Sequence, residues 1–180
     1  MMHTVSLTYP ASPATVSAML ADPAYQRSRL GSLADRAQMS VEASARPDGL
    51  TSGFDTHISG EVPASSLPSI AQRFLSGSVG CDLREHWEES DEHGQRQGRW
   101  EIATTGIPVT ASATALMRPA TVEQAPQAMG TVVEVQVDLT LNLPFLVRGA
   151  VESQIPTILA RVVAREESLA ASWLASRSAT

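Results

Sequence analysis

Glu166 is the side chain in this sequence best placed to do chemistry. Taking about 100° per residue from Pro156 onward, Ile158, Leu159, Val162, Val163, Leu169, Ala170 and Trp173 form one wide apolar stripe. Glu166 projects from near the middle of it. A carboxylate carried into an apolar interior must find a partner or take up a proton. It could therefore anchor the polar end of a ligand, or work as a general acid or base. Pairing with an arginine or hydroxyl at the rim of a groove is the plainer reading, and the favoured one.

The remaining candidates carry less. His57 lies in a strand-like segment, on the face opposite Phe54, Thr56 and Ile58 if the alternation holds there. A lone histidine in a strand is more often structural than catalytic, although it could share acid–base work with Glu166. Trp87 and Trp100 could stack a ligand ring, yet large aromatics in a sheet most often fill core. His86 and His93 sit in the acidic run Glu85–His93, without a second cluster or the His-Glu-x-x-His spacing of a metal site. That run reads as a charged hairpin tip, and no metal is expected. Cys81 reads as a small core residue. Neither a Gly-x-Ser-x-Gly elbow nor a phosphate-binding glycine loop is present. The residues expected to line a binding site are Glu166, Val162, Leu159, Leu169, Trp100 and His57. No cofactor is indicated.

The elements that must position them can be read from periodicity. Val133, Val135, Val137, Leu139 and Leu141 alternate with Glu134, Gln136, Asp138 and Thr140, a strand with one buried face and one wet face. The chain beyond Pro144 reads as helix almost to the last residue, long enough to cross a small domain. Pro156 interrupts it, so either the helix kinks there or a short helix ends near Ser153 and the main one starts at Pro156. A sheet closed by a long helix encloses a space between them, which is the mark of a pocket protein.

Upstream, His3 to Tyr9 reads as a strand. Ser12-Pro13 and Asp22-Pro23 each pair an N-cap with a proline in the first helical turn, so two short helices come after it, through Ala21 and to about Gly31. Ala37 to Ala43 and Leu50 to Ser59 form an antiparallel pair about the turn Pro47-Asp48-Gly49. Leu67, Ile70, Ala71, Phe74 and Leu75 have the spacing of a short amphipathic helix. Strands return over Val79 to Glu88, Gly98 to Ala103, Val109 to Met117 and Thr131 to Leu143, and Pro119 to Gly130 reads as a loop. The expected fold is α+β, an antiparallel sheet of about six or seven strands wrapped around a long C-terminal helix.

Composition narrows the function classes. The 180 residues suit a single domain, 1–180, with an ordinary 43% apolar and 18% charged content. Net charge is −6, the chain has no lysine, and its arginines are scattered, so nucleic acid and anionic membrane are poor partners. No apolar stretch approaches the roughly 20 residues that span a bilayer, and the first residues lack a signal-peptide pattern. One cysteine excludes an internal disulfide framework and suits a reducing compartment, the cytoplasm. The lack of lysine together with abundant alanine fits a high-GC bacterial genome.

The element order resembles the helix-grip architecture of the START and birch-pollen-allergen superfamily (SRPBCC) across essentially the whole chain. Trp87 ending a strand, Leu67-Pro68, the opening Val147-Arg148-Gly149-Ala150-Val151-Glu152 and the ending Trp173-Leu174 resemble an actinobacterial family of unknown function within it. The resemblance implies the fold and leaves the activity open, because that superfamily includes lipid carriers, polyketide cyclases, hormone receptors and ring-hydroxylase subunits. The leading expectation is a non-enzymatic protein binding an apolar small molecule between sheet and helix. The mainly aliphatic lining suits acyl chains, isoprenoids or polyketide-like molecules. An acid–base cyclase or dehydratase is the second expectation, and an interaction protein with a filled core the third.

Overall fold

The computed structural model describes residues 1–30, 38–46, 49–63, 65, 77–106, 109–122, 125–142 and 145–178. Strand β1 (Met2–Tyr9) is followed by helices α1 (Pro13–Leu20) and α2 (Pro23–Leu30). Six strands come next: β2 (Gln38–Arg46), β3 (Gly49–Val62), β4 (Val79–Trp87), β5 (Arg96–Thr105), β6 (Val109–Val122) and β7 (Ala125–Leu141). Helices α3 (Phe145–Glu152) and α4 (Ile155–Ser178) close the chain.

All strands join one antiparallel seven-stranded sheet in the order β1-β7-β6-β5-β4-β3-β2. Every neighbouring pair except β1–β7 is consecutive among the strands, so most pairings need only a short turn. The first two strands lie on opposite edges, and α1 and α2 carry the chain between them. This is the expected helix-grip arrangement, with α4 packed along β1 and α2.

Both short helices start as the sequence indicates. Ser12 caps α1, its Oγ accepting from the Thr15 amide at 3.3 Å, and Asp22 accepts from the Ala24 amide at 2.8 Å at the start of α2. Of the two outcomes open at Pro156, the chain takes the second. α3 ends at Glu152, and Pro156 occupies the first turn of α4, where its missing N–H costs nothing. Within the expected loop Pro119 to Gly130, residues 119–122 and 125–130 are instead strand. β6 and β7 continue past the sheet as a two-stranded ribbon, with Pro119 opposite Thr131 and Thr121 opposite Met129. Beyond Met117 the β6 strand has lost its β5 neighbour, so a proline there can leave one side unpaired. The expected helix over Leu67–Leu75 and the turn at Pro47-Asp48 lie outside the described residues.

Alternation puts successive rows across the inner face. Leu7, Val133, Met117 and Arg96 form one row, Val5, Val135, Ala115, Gly98, Trp87 and Phe54 the next, His3, Val137, Ala113, Trp100, Glu85 and Thr56 a third, and Leu139, Ala111, Ile102, Leu83 and Ile58 a far one. The first two rows pack with Tyr9, Val16, Met19, Leu20, Tyr25 and Ala170 as the hydrophobic core. Gly98 is required there: a Cβ on it would meet the Trp87 ring at 2.8 Å. In the far row Leu139, Ala111, Ile102 and Leu83 are only half-buried. Ile58 in the same row, and Val79 and Leu141 beyond it, are buried again, so the half-buried stretch lies within the inner face.

Candidate functional site

A buried charged cluster stands between the packed rows and this stretch. Glu85 projects from the inner face of β4 between Leu83 and Trp87, and is 2% exposed. Glu166, 7% exposed, comes from α4, and Arg29 from the last turn of α2. Arg29 joins the two carboxylates, its Nη1 donating to Glu85 Oε1 at 2.7 Å and its Nε to Glu166 Oε2 at 3.1 Å. Tyr25 Oη donates to Glu166 Oε1 at 2.9 Å, and Thr56, opposite Glu85 in the β3–β4 register, donates to Glu85 Oε2 at 3.3 Å. Gln26 completes the cluster, accepting from Arg29 Nη1 at 2.8 Å while its amide donates to the Leu20 carbonyl at 2.6 Å. A sheet strand and two helices are thus tied by charge-assisted hydrogen bonds.

Burial and the cluster's charges both act on the neighbouring groups. Burial, and then Glu166, pushes the Tyr9 hydroxyl well above its ordinary range, and the same causes act on Tyr25. Burial alone would lower the Arg29 pKa; Glu85 and then Glu166 more than offset it, and the net shift is upward. Arg29 is therefore a fixed cation.

The end of α4 is held by a separate set of contacts. Trp173 Nε1 donates to Asp22 Oδ2 at 3.0 Å, its ring meets Tyr25 edge-on at 6.4 Å, and the Arg177 guanidinium lies 4.2 Å from its ring centre. Glu167 Oε1 accepts from the Thr8 amide at 3.2 Å, pinning α4 to β1. These contacts set the rotation of α4 that turns Glu166 inward.

The residues singled out from sequence divide between faces. Glu166 lies inside with both an arginine and a hydroxyl, and Leu169 and Trp173 pack against the core. Leu159 is half-buried. Trp100 is half-buried on the inner face, beside Glu85 in the β4–β5 register, with its buried Nε1 unpartnered among the described residues. Val162, expected to face the sheet, is instead 57% exposed, and Ile158 is 51% exposed. The inward positions run Ile155, Leu159, Val163, Glu166, Leu169, Ala170 and Trp173, a narrower stripe than the sequence pattern drew because Ile158 and Val162 fall outside it. His57 keeps the strict alternation and falls on the outer face, bonded through Nε2 to Asp82 Oδ2 at 2.8 Å. It lines an open outer depression of about 580 Å³ with Asp55, Arg84, His86, Arg99 and Glu101, on the far side of the sheet from Glu166.

Sequence reasoning missed Arg29, Glu85, Tyr25 and Gln26. For Glu85 the signal was present: it shares the parity of Leu83 and Trp87 and belongs to the inner face, but the acidic run after it suggested a hairpin tip. Arg29 follows Tyr25 and Gln26 at i+4 and i+3, one helix face. Only the docking of α2 shows that this face is buried.

Among the described residues no helix is long and apolar enough to cross a membrane. No curated protein matches the chain. Among solved structures it is similar to TTHA0849 from Thermus thermophilus, with TM-score 0.57, 17% identity, and coverage of 96% of this chain and 98% of that one. It is also similar to the Zhui aromatase/cyclase of a Streptomyces species, with TM-score 0.54, 10% identity, and coverage of 99% and 96%. At these identities the likeness is one of fold. The family model described as "Protein of unknown function (DUF2505)" matches residues 4–174, nearly the whole chain, and the chain belongs to that family.

Proposed function

We propose that the protein binds an apolar small molecule between the inner face of the sheet and α4, without transforming it. The observation that carries this reading is a half-buried apolar stretch within the inner face. The first two rows are packed solid, whereas Leu83, Ile102, Ala111 and Leu139 remain half-buried beside half-buried Trp100, between that core and buried Ile58, Val79 and Leu141. Apolar surface left half-wet at the centre of a sheet favours a guest that covers it, at about 25 cal/mol per Å². Half-buried Leu159 and Val163 on α4 would complete the wall, and Glu85, Arg29 and Glu166 would form its polar end. An acyl chain, an isoprenoid or a polyketide-like molecule has the required character. The single cysteine fits a reducing cytoplasm and the lysine-free composition a high-GC bacterial host, and the family resemblance adds an actinobacterial one.

The second reading is an acid–base enzyme of the cyclase or dehydratase type. The convergence of Tyr9, Tyr25, Glu85 and Glu166 favours it, and one fold relative is named an aromatase/cyclase. Against it, Glu166 is engaged by both Arg29 and Tyr25, and His57 faces the other way. Native mass spectrometry of protein purified from its own host tests the binding reading, which expects a co-purifying apolar molecule released unchanged on denaturation. Recovery of bare protein that also fails to enhance an apolar fluorescent probe overturns it. Conversion of a bound molecule during incubation favours the enzyme.

A further inference from the structure

We propose that the cleft between the start of α1 and the β4–β5 hairpin is a separate binding site, taking a small organic anion whose carboxylate or phosphate meets Arg96. The cleft has a volume of about 570 Å³. Pro13, Ala14 and Ser17 line it from α1, His93 and Gly94 from the hairpin, and Pro119 from β6. Two rows of inner-face side chains separate Arg96 from the half-buried apolar stretch, so this site goes beyond the binding reading above. Arg96 is 5% exposed, although it carries a permanent charge. Its Nη1 donates to the Glu88 carbonyl at 2.7 Å and its guanidinium lies 5.8 Å from the centre of the Phe54 ring, which fixes it at the wall of the cleft.

The surroundings favour negative charge. Burial lowers the Arg96 pKa by more than Glu89 raises it, whereas at Arg29 two carboxylates more than offset burial. The neighbours of Arg96 thus repay its desolvation only in part, and an anion in the cleft supplies the rest. Helix α1 adds to this. Its first two residues, Pro13 and Ala14, line the cleft, and its first turn holds no acidic side chain, so the positive end of the helix dipole is left to whatever occupies the cleft. The Ser17 hydroxyl, 1% exposed, donates to the Met117 thioether at 3.6 Å, a weak acceptor that an anion oxygen would outcompete. The nearby acids are engaged elsewhere. Asp91 accepts from the His93 and Gln95 amides of its own turn at 2.9 and 2.8 Å, and Glu88 pairs with Arg99 at 3.4 Å on the outer face. Glu92 does line the cleft, but its side chain is 87% exposed and lies 3.6 Å from His93. Pro13, Ala14 and Pro119 offer a short apolar body, such as a phenyl ring, a wall beside the charged group.

Isothermal titration calorimetry of the full chain at pH 7, in about 50 mM salt, compares benzoate, phenyl phosphate and benzyl alcohol, which share a ring and differ in charge. At least one of the two anions is expected to bind saturably below about 10 mM and at least about tenfold more tightly than benzyl alcohol, and the tighter anion identifies the head group. Ala14→Glu sets a carboxylate at the cleft in a first helical turn that accepts one readily, and Ala14→Arg brings similar bulk with the opposite charge. Ala14→Arg should bind the anion at least about tenfold more tightly than Ala14→Glu. Arg96→Gln, confirmed folded by circular dichroism, should bind it at least about tenfold more weakly than wild type; should it not fold, the Ala14 pair decides. Arg84→Met, on the outer face, should stay within about threefold of wild type. Absence of saturable binding by both anions, benzyl alcohol within about threefold of them, or equal anion affinity in the two Ala14 variants overturns the proposal. Ala14 stands on α1 and outside the half-buried apolar stretch, so these outcomes are independent of the inner-face reading.

Discussion

Replacing Arg29 with methionine tests the cluster most directly. Methionine keeps most of the length and packing of the arginine stem but removes the charge. Arg29 is bonded to Glu85 at 2.7 Å and to Glu166 at 3.1 Å, and its side chain is 18% exposed, so solvent screens these contacts little. Its loss strands two buried carboxylates next to each other. Removing one partner of a buried ion pair costs about 3–5 kcal/mol, and here one cation serves two anions, which places the expectation in the upper half of that range. With a urea m-value of about 2 kcal/mol/M, the unfolding midpoint should fall by roughly 2–2.5 M. Glu166→Gln should cost clearly less, because a neutral Arg29–Glu85 pair remains. Adding Glu166→Gln to Arg29→Met should recover part of the loss, a coupling of about 1–3 kcal/mol between the sites. Arg84→Met is the control: that guanidinium is 66% exposed on the outer face beside Asp82, and such pairs contribute about 0–1 kcal/mol. If Arg29→Met shifts the midpoint no more than Arg84→Met, the cluster is hydrated and its role as a buried polar end is refuted.

Further outcomes are expected at Asp22, Gly98 and the two sides of α4. Asp22→Ala removes the cap of α2 and the acceptor of the Trp173 indole together, and should lower stability by about 1–3 kcal/mol in chemical denaturation. The Asp22 pKa is lowered in the folded protein: burial would raise it, but hydrogen bonds from Trp173 and Ala24 prevail. Its contribution is therefore fully present above the unfolded value of about 4 and is lost as the pH falls through the folded one; Asp22→Asn should flatten that acid limb of the stability profile, and an unchanged limb would count against it. Gly98→Ala drives a Cβ into the Trp87 ring at 2.8 Å and should destabilise by about 1–3 kcal/mol, read as a lowered thermal midpoint with weaker near-ultraviolet tryptophan dichroism. Val162→Ala, at a position 57% exposed, should stay within about 0.5 kcal/mol of wild type, whereas Leu159→Ala should alter apolar-probe binding; a large loss for Val162→Ala would place the outer side of α4 against something it packs on.

Local chemistry determined most of the fold. Period-two alternation assigns β7 and its inner face residue by residue, because successive strand side chains must point to opposite sides. Ser12-Pro13 and Asp22-Pro23 start their helices through capping, and Pro156 allowed two outcomes of which the helix start is realised. The outward turn of His57 likewise follows from parity alone. Length and composition pointed to one packed domain without disulfides. The sequence also marked Glu166 as a carboxylate needing a partner, since a charge flanked by Val162, Val163, Leu169 and Ala170 is costly if left alone.

What it left open was decided by docking, which depends on residues far apart in the chain. Arg29 and Glu166 are 137 positions apart, and Arg29 and Glu85 are 56 apart, so no local pattern pairs them. The apolar stripe of α4 was drawn too wide because a helical wheel shows which residues could face inward, and only the neighbouring elements choose among them. Contacts from Asp22 and Thr8 rotate α4 so that Glu166 and Val163 point in while Val162 points to solvent. The extension of β6 and β7 through Pro119 depends in turn on strand pairing, which can override a composition of alanine, glutamine and proline that reads locally as loop. The half-buried far row is likewise a tertiary outcome: alternation places Leu83, Ile102, Ala111 and Leu139 on the inner face, but their degree of burial depends on what packs over them and not on parity.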